Sequence, residues 1–241
     1  PQNIEIMFRR AYSSGFSQRP DPTIIGAFSG LEIACWDIIG KSLGQPIYNL
    51  FGGQVRKKLR SYTYLYPRPD QQENEFYASP DLSAEAASKA VSMGFTAIKF
   101  DPAGPYTIYG GHQPTLDDLE LSENFCSSIR KTVGHKADLL FGTHGQFTPS
   151  GAIRLARRLE RYDPLWFEEP IPPDNAKNMA LVANSTTIPI ATGERLTTKY
   201  EFSEILRSGS ATILQPALGR VGGLWEAKKI AAIAEVFGAQ I

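Results

Sequence analysis

The sequence is poor in the residues that most readily mark a function. Two cysteines among 241 residues, Cys35 and Cys126, provide neither a disulfide framework nor the paired spacing of a structural metal site. Lysine plus arginine equals aspartate plus glutamate, 25 of each, so no long-range field gathers nucleic acid or an acidic membrane. No run approaches the ~20 apolar residues that span a bilayer, and no signal peptide precedes the first helical segment. GxGxxG and Walker spacings are missing, which leaves "GRVGG" at 219–223 as a weak candidate for holding a nucleotide. What is present is ordinary for a folded domain: 42% hydrophobic and 21% charged residues. A reducing cytoplasm is the expected compartment, with Cys35 a small core residue of an apolar helix.

The order of segments says more. Residues 22–50 read as helical and close on "LGQPIYNLFGG", whose Gly-Gly pair is a stop signal. From residue 59 short β-rich runs alternate with amphipathic segments. "LRSYTYLY" precedes 82–93, "FTAIKF" precedes 116–133, "ADLLFG" precedes 149–161, "LWFEEP" precedes 175–185, "TIPIATG" precedes 198–207 and "SATILQP" precedes 222–237. Such alternation predicts parallel strands joined by crossover helices. Six units, with "GAQI" as the start of a seventh strand, suit an incomplete (β/α)₈ barrel cut at both ends. A doubly wound open sheet is the second architecture. Residues 1–55 are expected to form the helical end of an α+β capping domain, and 56–241 the partial catalytic barrel.

Chemistry is expected where strands end. Gly142 with His144, then Glu168, then Glu194 follow successive strands at intervals of 26 residues each. Carboxylates at equivalent places on neighbouring parallel strands converge, and converging oxygens suit a hard cation. A lone "EEP" would otherwise read as a solvated loop or an ion pair. His144 carries the imidazole suited to acid–base work near neutral pH, although single loop histidines are often merely hydrogen-bonded. Lys99 and Asp101 point the same way from the second strand, with a structural lysine and a turn-forming aspartate as the alternatives. His112 lies in the Gly/Pro/Tyr-rich connection 102–115, within reach of the site or simply on the surface. His135 sits at the opposite end of a strand and is read as structural.

The stretches "GLEIACWDIIGKSLGQPIYNLFGG", "GFTAIKFD", "GTHGQ", "WFEEPIPPDN", "ATGERLTTKYEF" and "LQPALGRVGG" resemble, in order and spacing, the mandelate racemase branch of the enolase superfamily. "GTHGQ" and "GERLTTKYEF" look closest to its sugar-acid dehydratases, of the D-galactonate type. The resemblance implies an enolase-type barrel with Mg²⁺, or Mn²⁺, at its mouth. It implies abstraction of the proton α to a carboxylate and stabilisation of the resulting enediolate. Glu168 and Glu194 match two metal ligands, His144 the general acid that assists loss of the β-hydroxyl, and Lys99 the first lysine of the family's Lys-x-Lys. Arg195, His112 and Glu169 are the candidates for substrate contact.

Three positions depart from the pattern. The family's first metal ligand is an aspartate where this sequence has Gly142, its second lysine is Asp101, and the aspartate after "QP" is Ala217. Asp101 is therefore expected to serve as the relocated third ligand, with a decayed or repurposed site that binds metal weakly as the alternative. The implied activity is dehydration of an aldonate or aldarate. The alternatives are a racemase, epimerase or cycloisomerase of the same superfamily, and a barrel without catalysis. A homo-oligomer binding a small polyhydroxy carboxylate, with no nucleic acid or membrane partner, completes the expectation.

Overall fold

A computed structural model describes residues 2–14, 16, 18–104 and 112–241. The middle of the expected functional loop 102–115 lies outside them. In chain order the elements are α1 (Ile4–Tyr12), α2 (Pro22–Leu43), α3 (Ile47–Leu50), β1 (Thr63–Tyr64), α4 (Glu73–Phe76), α5 (Pro80–Ser92), β2 (Ala97–Phe100), α6 (Leu116–Val133) and β3 (Asp138–Gly142). They continue as α7 (Pro149–Leu159), β4 (Trp166–Glu168), α8 (Ala176–Ala183), β5 (Ile190–Thr192), α9 (Lys199–Arg207), β6 (Ile213–Leu214) and α10 (Gly223–Val236). The strands follow one another in a single sheet, β1 to β6 in sequence order. A doubly wound sheet reverses its strand order at a switch point, and no reversal occurs. The architecture is the barrel succession, in part.

The chain divides into two compact units. One holds Arg60–Ala191 and Ser208–Ile213, and the other holds Pro1–Leu59, Thr192–Arg207 and Leu214–Ile241. The sequence places a single boundary at 55/56. The break at 59/60 falls near it, but two later segments group with the N-terminal helices.

In the strand-rich unit, β2, β3 and β4 form the centre. Ile98, Phe100, Leu139, Leu140, Phe141 and Phe167 are all buried, and each apolar side chain of this size stabilises by ~1.5–3 kcal/mol when removed from water. Phe100 meets Phe141 edge-on at 5.4 Å, and Phe141 meets Phe167 at 6.4 Å. Helices begin where the sequence places caps. Thr115 and Asp118 form a reciprocal capping box on α6, and Thr148 caps α7 just ahead of Pro149. At the far ends of the strands, Arg130 donates to the carbonyls of Gly134, Ala137 and Tyr162. His135 is exposed in that turn.

The other unit gathers Phe8, Ile25 and Phe28 into a small core. Its α2 is long and apolar enough to cross a membrane by length and composition, with a mean hydropathy of 1.4 over its best window. That corrects the expectation that no such run exists. The buried side of α2, however, carries Ser29 and Glu32. Glu32 accepts from Leu224 N–H at 2.8 Å, Trp225 N–H at 2.9 Å and the Trp36 indole at 2.7 Å, and Ser29 Oγ accepts from Gly222 N–H at 2.9 Å. A helix N-terminus leaves its first N–H groups without intrahelical partners and favours an anion there. Gly222 itself gives α10 no side-chain cap, so Glu32 does the work from α2. A side chain at Gly223 would collide with the Glu32 carboxylate. The "GRVGG" motif is thus an anion cradle filled by the chain's own carboxylate rather than by a nucleotide phosphate. The expected 22–50 helix also breaks, because Gly44 takes a left-handed conformation (φ 62) and Pro46 precedes α3.

Candidate active site

The site is built from the C-terminal ends of β2, β3 and β4. Register pairs Tyr64 with Lys99 and Lys99 with Leu140, and it pairs Gly142 with Glu168. Side chains alternate along a strand, so Lys99, Leu140 and Gly142 share one face, with Gly142 one layer nearer the strand ends. A layer is two residues, roughly 6.6 Å, about the length of a lysine stem. Lys99 climbs that layer, passes over Gly142 on the intervening strand and sets its ammonium 2.5 Å from Glu168 Oε1. Both side chains are buried. The stem runs close over Gly142, where a Cβ would stand 2.7 Å from Lys99 Cε and require the end of the lysine to shift. The other oxygen of Glu168 accepts from the Trp166 indole at 3.1 Å. Tyr64 packs alongside, its ring 5.8 Å from the ammonium. Burial, and next the charge of Asp101, push the Tyr64 hydroxyl well above its ordinary range, so it stays neutral.

A second group lies just past the end of β2, two residues beyond Lys99. Asp101 Oδ2 is 3.4 Å from His144 Nδ1 and accepts from the Gln146 amide at 3.3 Å, while Oδ1 accepts from Ala103 N–H at 3.2 Å. His144 holds a left-handed backbone (φ 53), as does Glu169 on the next strand end (φ 41). Each such residue costs on the order of 1–3 kcal/mol, and strain of this kind collects where a side chain must be aimed. The two turns are locked together. Thr143 donates from its N–H to Glu168 O and from its hydroxyl to the carbonyls of Glu168 and Glu169, and Gly145 N–H donates to Glu169 O at 2.7 Å.

Burial pushes Asp101 up to about 6, against the opposing pull of His144, the Ala103 amide and Lys99. Burial thus favours its neutral form. The contribution to stability is complete below the ordinary carboxylate range near 3.8 and is lost as pH rises through about 6. Only the ionised form supports a charged imidazole, so kcat/KM on a turned-over substrate should fall as pH drops below about 6. A pH–rate profile checks this, and Asp101→Asn should abolish that acid limb.

The expected ligand set is not assembled in this arrangement. Among the described residues, no group of three His, Cys, Asp or Glu side chains is placed to hold a metal ion. Glu168 is engaged by an ammonium, Gly142 offers no ligand atom, and Asp101 faces His144 and Gln146 rather than Glu168. These side chains of the strand-rich unit do not fit a divalent cation. Glu194 and Arg195 are half-buried and belong to the other unit, in the turn after Gly193. His112 pairs through its backbone with Gln146 and Thr148 and rests its ring on Phe147 at 5.1 Å, beside the His144–Asp101 pair rather than in it. Ala217 supplies its carbonyl to the N–H groups of Arg220 and Val221. Sequence reasoning did not assign Gln146, Tyr64, Thr143 or Trp166. Gln146 stood within the quoted "GTHGQ", two residues from the histidine, and is the one that could have been found.

Parallel βα units in sequential order, with the Lys99–Glu168 and His144–Asp101 pairs at the strand ends, define part of a (β/α)-barrel fold. The enolase C-terminal domain-like family matches residues 81–241, and the chain belongs to that family. A D-gluconate/D-galactonate dehydratase of Picrophilus torridus is 35% identical over 239 residues, which are 98% of this chain and 58% of that protein. A D-xylonate dehydratase of Haloferax volcanii is 36% identical over 89% of this chain and 51% of its own length. A crystal structure of a mandelate racemase/muconate lactonizing enzyme from Sulfitobacter sp. superposes with a TM-score of 0.97 at 64% identity, covering all of this chain and 61% of the other. The chain therefore spans 51–61% of the length of these relatives.

Proposed function

We propose that the chain carries the acid–base centre of a sugar-acid dehydratase acting on aldonates or aldarates. The observation that carries this reading is the His144–Asp101 pair, aimed by a strained turn beside the Lys99–Glu168 ion pair. Relatives named as dehydratases of gluconate, galactonate and xylonate support the reaction class. Dehydration moves one proton from Cα to a base, breaks the Cβ–O bond and delivers a second proton to the departing hydroxyl as water. The enol left behind tautomerises to an α-keto acid. His144 supplies the second proton, and Asp101 orients the ring and favours its charged form. The Mg²⁺ implied by the resemblance finds no ligand set among these described side chains. Two free, buried cysteines suit a reducing compartment such as the cytoplasm.

The test is proton NMR of the protein with a panel of aldonates and aldarates in D₂O. The expected result is loss of the Cα and Cβ signals of one substrate and growth of an α-keto, β-deoxy acid. Exchange of the α-hydrogen without loss of water would indicate a racemase or epimerase instead. No change with any member would leave a binding protein.

A further inference from the structure

We propose that Tyr64 and Tyr66 form a binding wall for the hydroxylated chain of the ligand, with Tyr66 selecting a hydroxylated acid over a bare one. The proposal rests on the dehydratase reading for its ligand class but not for the placement of the rings. Register fixes that placement. β1 pairs in parallel with β2, Thr63 with Ile98 and Tyr64 with Lys99, and Leu65 N–H donates to Lys99 O at 2.8 Å to carry the pairing one step on. Neighbours along a strand alternate between faces, so Tyr64 and Tyr66 stand on the face that carries Lys99 and Asp101. Leu65 turns to the other side and is buried. Tyr66 is then level with Asp101, its backbone about 4.8 Å away across one strand spacing. The two tyrosine rings stack with centroids 4.7 Å apart and 22° between their planes, as a shared face requires.

Tyr64 is half-buried beside Lys99, whereas Tyr66 is 64% exposed at the end of the same strand. Among the described residues neither hydroxyl meets a hydrogen-bond partner, in contrast to Asp101, Gln146, Glu168 and Trp166 around them. A tyrosine joins an apolar body to a polar tip. The ring faces take the C–H groups of an extended carbon chain, and the phenolic tips exchange hydrogen bonds with its hydroxyls. Tyr64 keeps its proton, because burial first and the Asp101 charge next raise it far above its ordinary range, so it donates as well as accepts. The stacked pair runs one layer, roughly 6.6 Å, along β1, which is enough for several carbons. An acid without hydroxyls would cover the rings and leave the tips unpaired, and a site built to bond a hydroxyl rejects the analogue that lacks it. The ligand class is therefore a carboxylate with hydroxyls on carbons beyond the reacting pair.

Titration calorimetry tests this with D-gluconate, D-galactonate and D-xylonate as probes, and with hexanoate as the acid without hydroxyls. At least one sugar acid should bind, and more tightly than hexanoate. For that acid Tyr66→Phe, which keeps the ring, should raise Kd about 5-fold, the scale of one hydrogen bond, and leave hexanoate unchanged. Tyr66→Ala should raise it further. Tyr66 is exposed, so neither variant opens a cavity, and both should melt with the unaltered protein. Where an acid turns over, the loss should fall on KM with kcat little changed, the mark of binding shared by ground and transition states. Variants that bind the sugar acid as the unaltered protein does would overturn the proposal, as would no binding of any of the three. Binding weakened as expected, but without turnover, would remove the dehydratase reading alone. Turnover with KM unchanged in both variants would remove the tyrosine wall alone.

Discussion

On the proposed dehydratase reading, His144→Asn should lower kcat by about 10²–10⁴-fold, the usual contribution of a positioned general acid. Asparagine is the informative replacement because it tolerates the left-handed backbone that position 144 adopts better than most residues. The turn locked by Thr143 and Gly145 should therefore persist, and the loss should fall on kcat with KM little changed. Steady-state kinetics and a thermal melt of the same sample separate the two effects. A variant that retains full kcat would assign the proton transfer elsewhere.

Glu32→Ala should be the most destabilising single change in the unit containing the N-terminal helices, by about 3–5 kcal/mol. The carboxylate satisfies two N–H groups at the start of α10 and the Trp36 indole, all inside the fold. Each buried donor left without a partner costs about 1–3 kcal/mol, and the favourable charge at the helix N-terminus is lost as well. Glu32→Gln keeps one acceptor oxygen and should cost less than half as much. Urea unfolding followed by tryptophan fluorescence reads this directly, since Trp36 and Trp225 both lie against the site of change. Equal losses for the two variants would show that charge, rather than satisfaction of donors, dominates.

Much of the fold is legible in the sequence because its signals are local. The βα alternation, Thr115 with Asp118, and Thr148 before Pro149 each act within a few residues, and α6 spans the same 116–133 that periodicity predicts. His144, Asp101, Lys99 and Glu168 are also visible as polar residues closing apolar runs. Their partners are not. Whether Asp101 joins Glu168 or His144 depends on strand register and on which neighbouring side chain gets there first. Lys99 does, passing close over Gly142. Glu32 escapes notice for a similar reason: its partners lie 192 and 193 residues away, and a glutamate in a helix usually faces water. The apolar character of α2 is a property of its whole length, hidden by the glycines and by Glu32 and Asp37 within it.

The central claim is that His144 and Asp101 act as one acid–base unit, and a double-mutant cycle on kcat tests it most directly. Groups that work as a unit are strongly non-additive. His144→Asn combined with Asp101→Asn should cost no more than His144→Asn alone. A double variant whose loss equals the product of the two single losses would contradict it, and would make Asp101 a bystander to the histidine it touches.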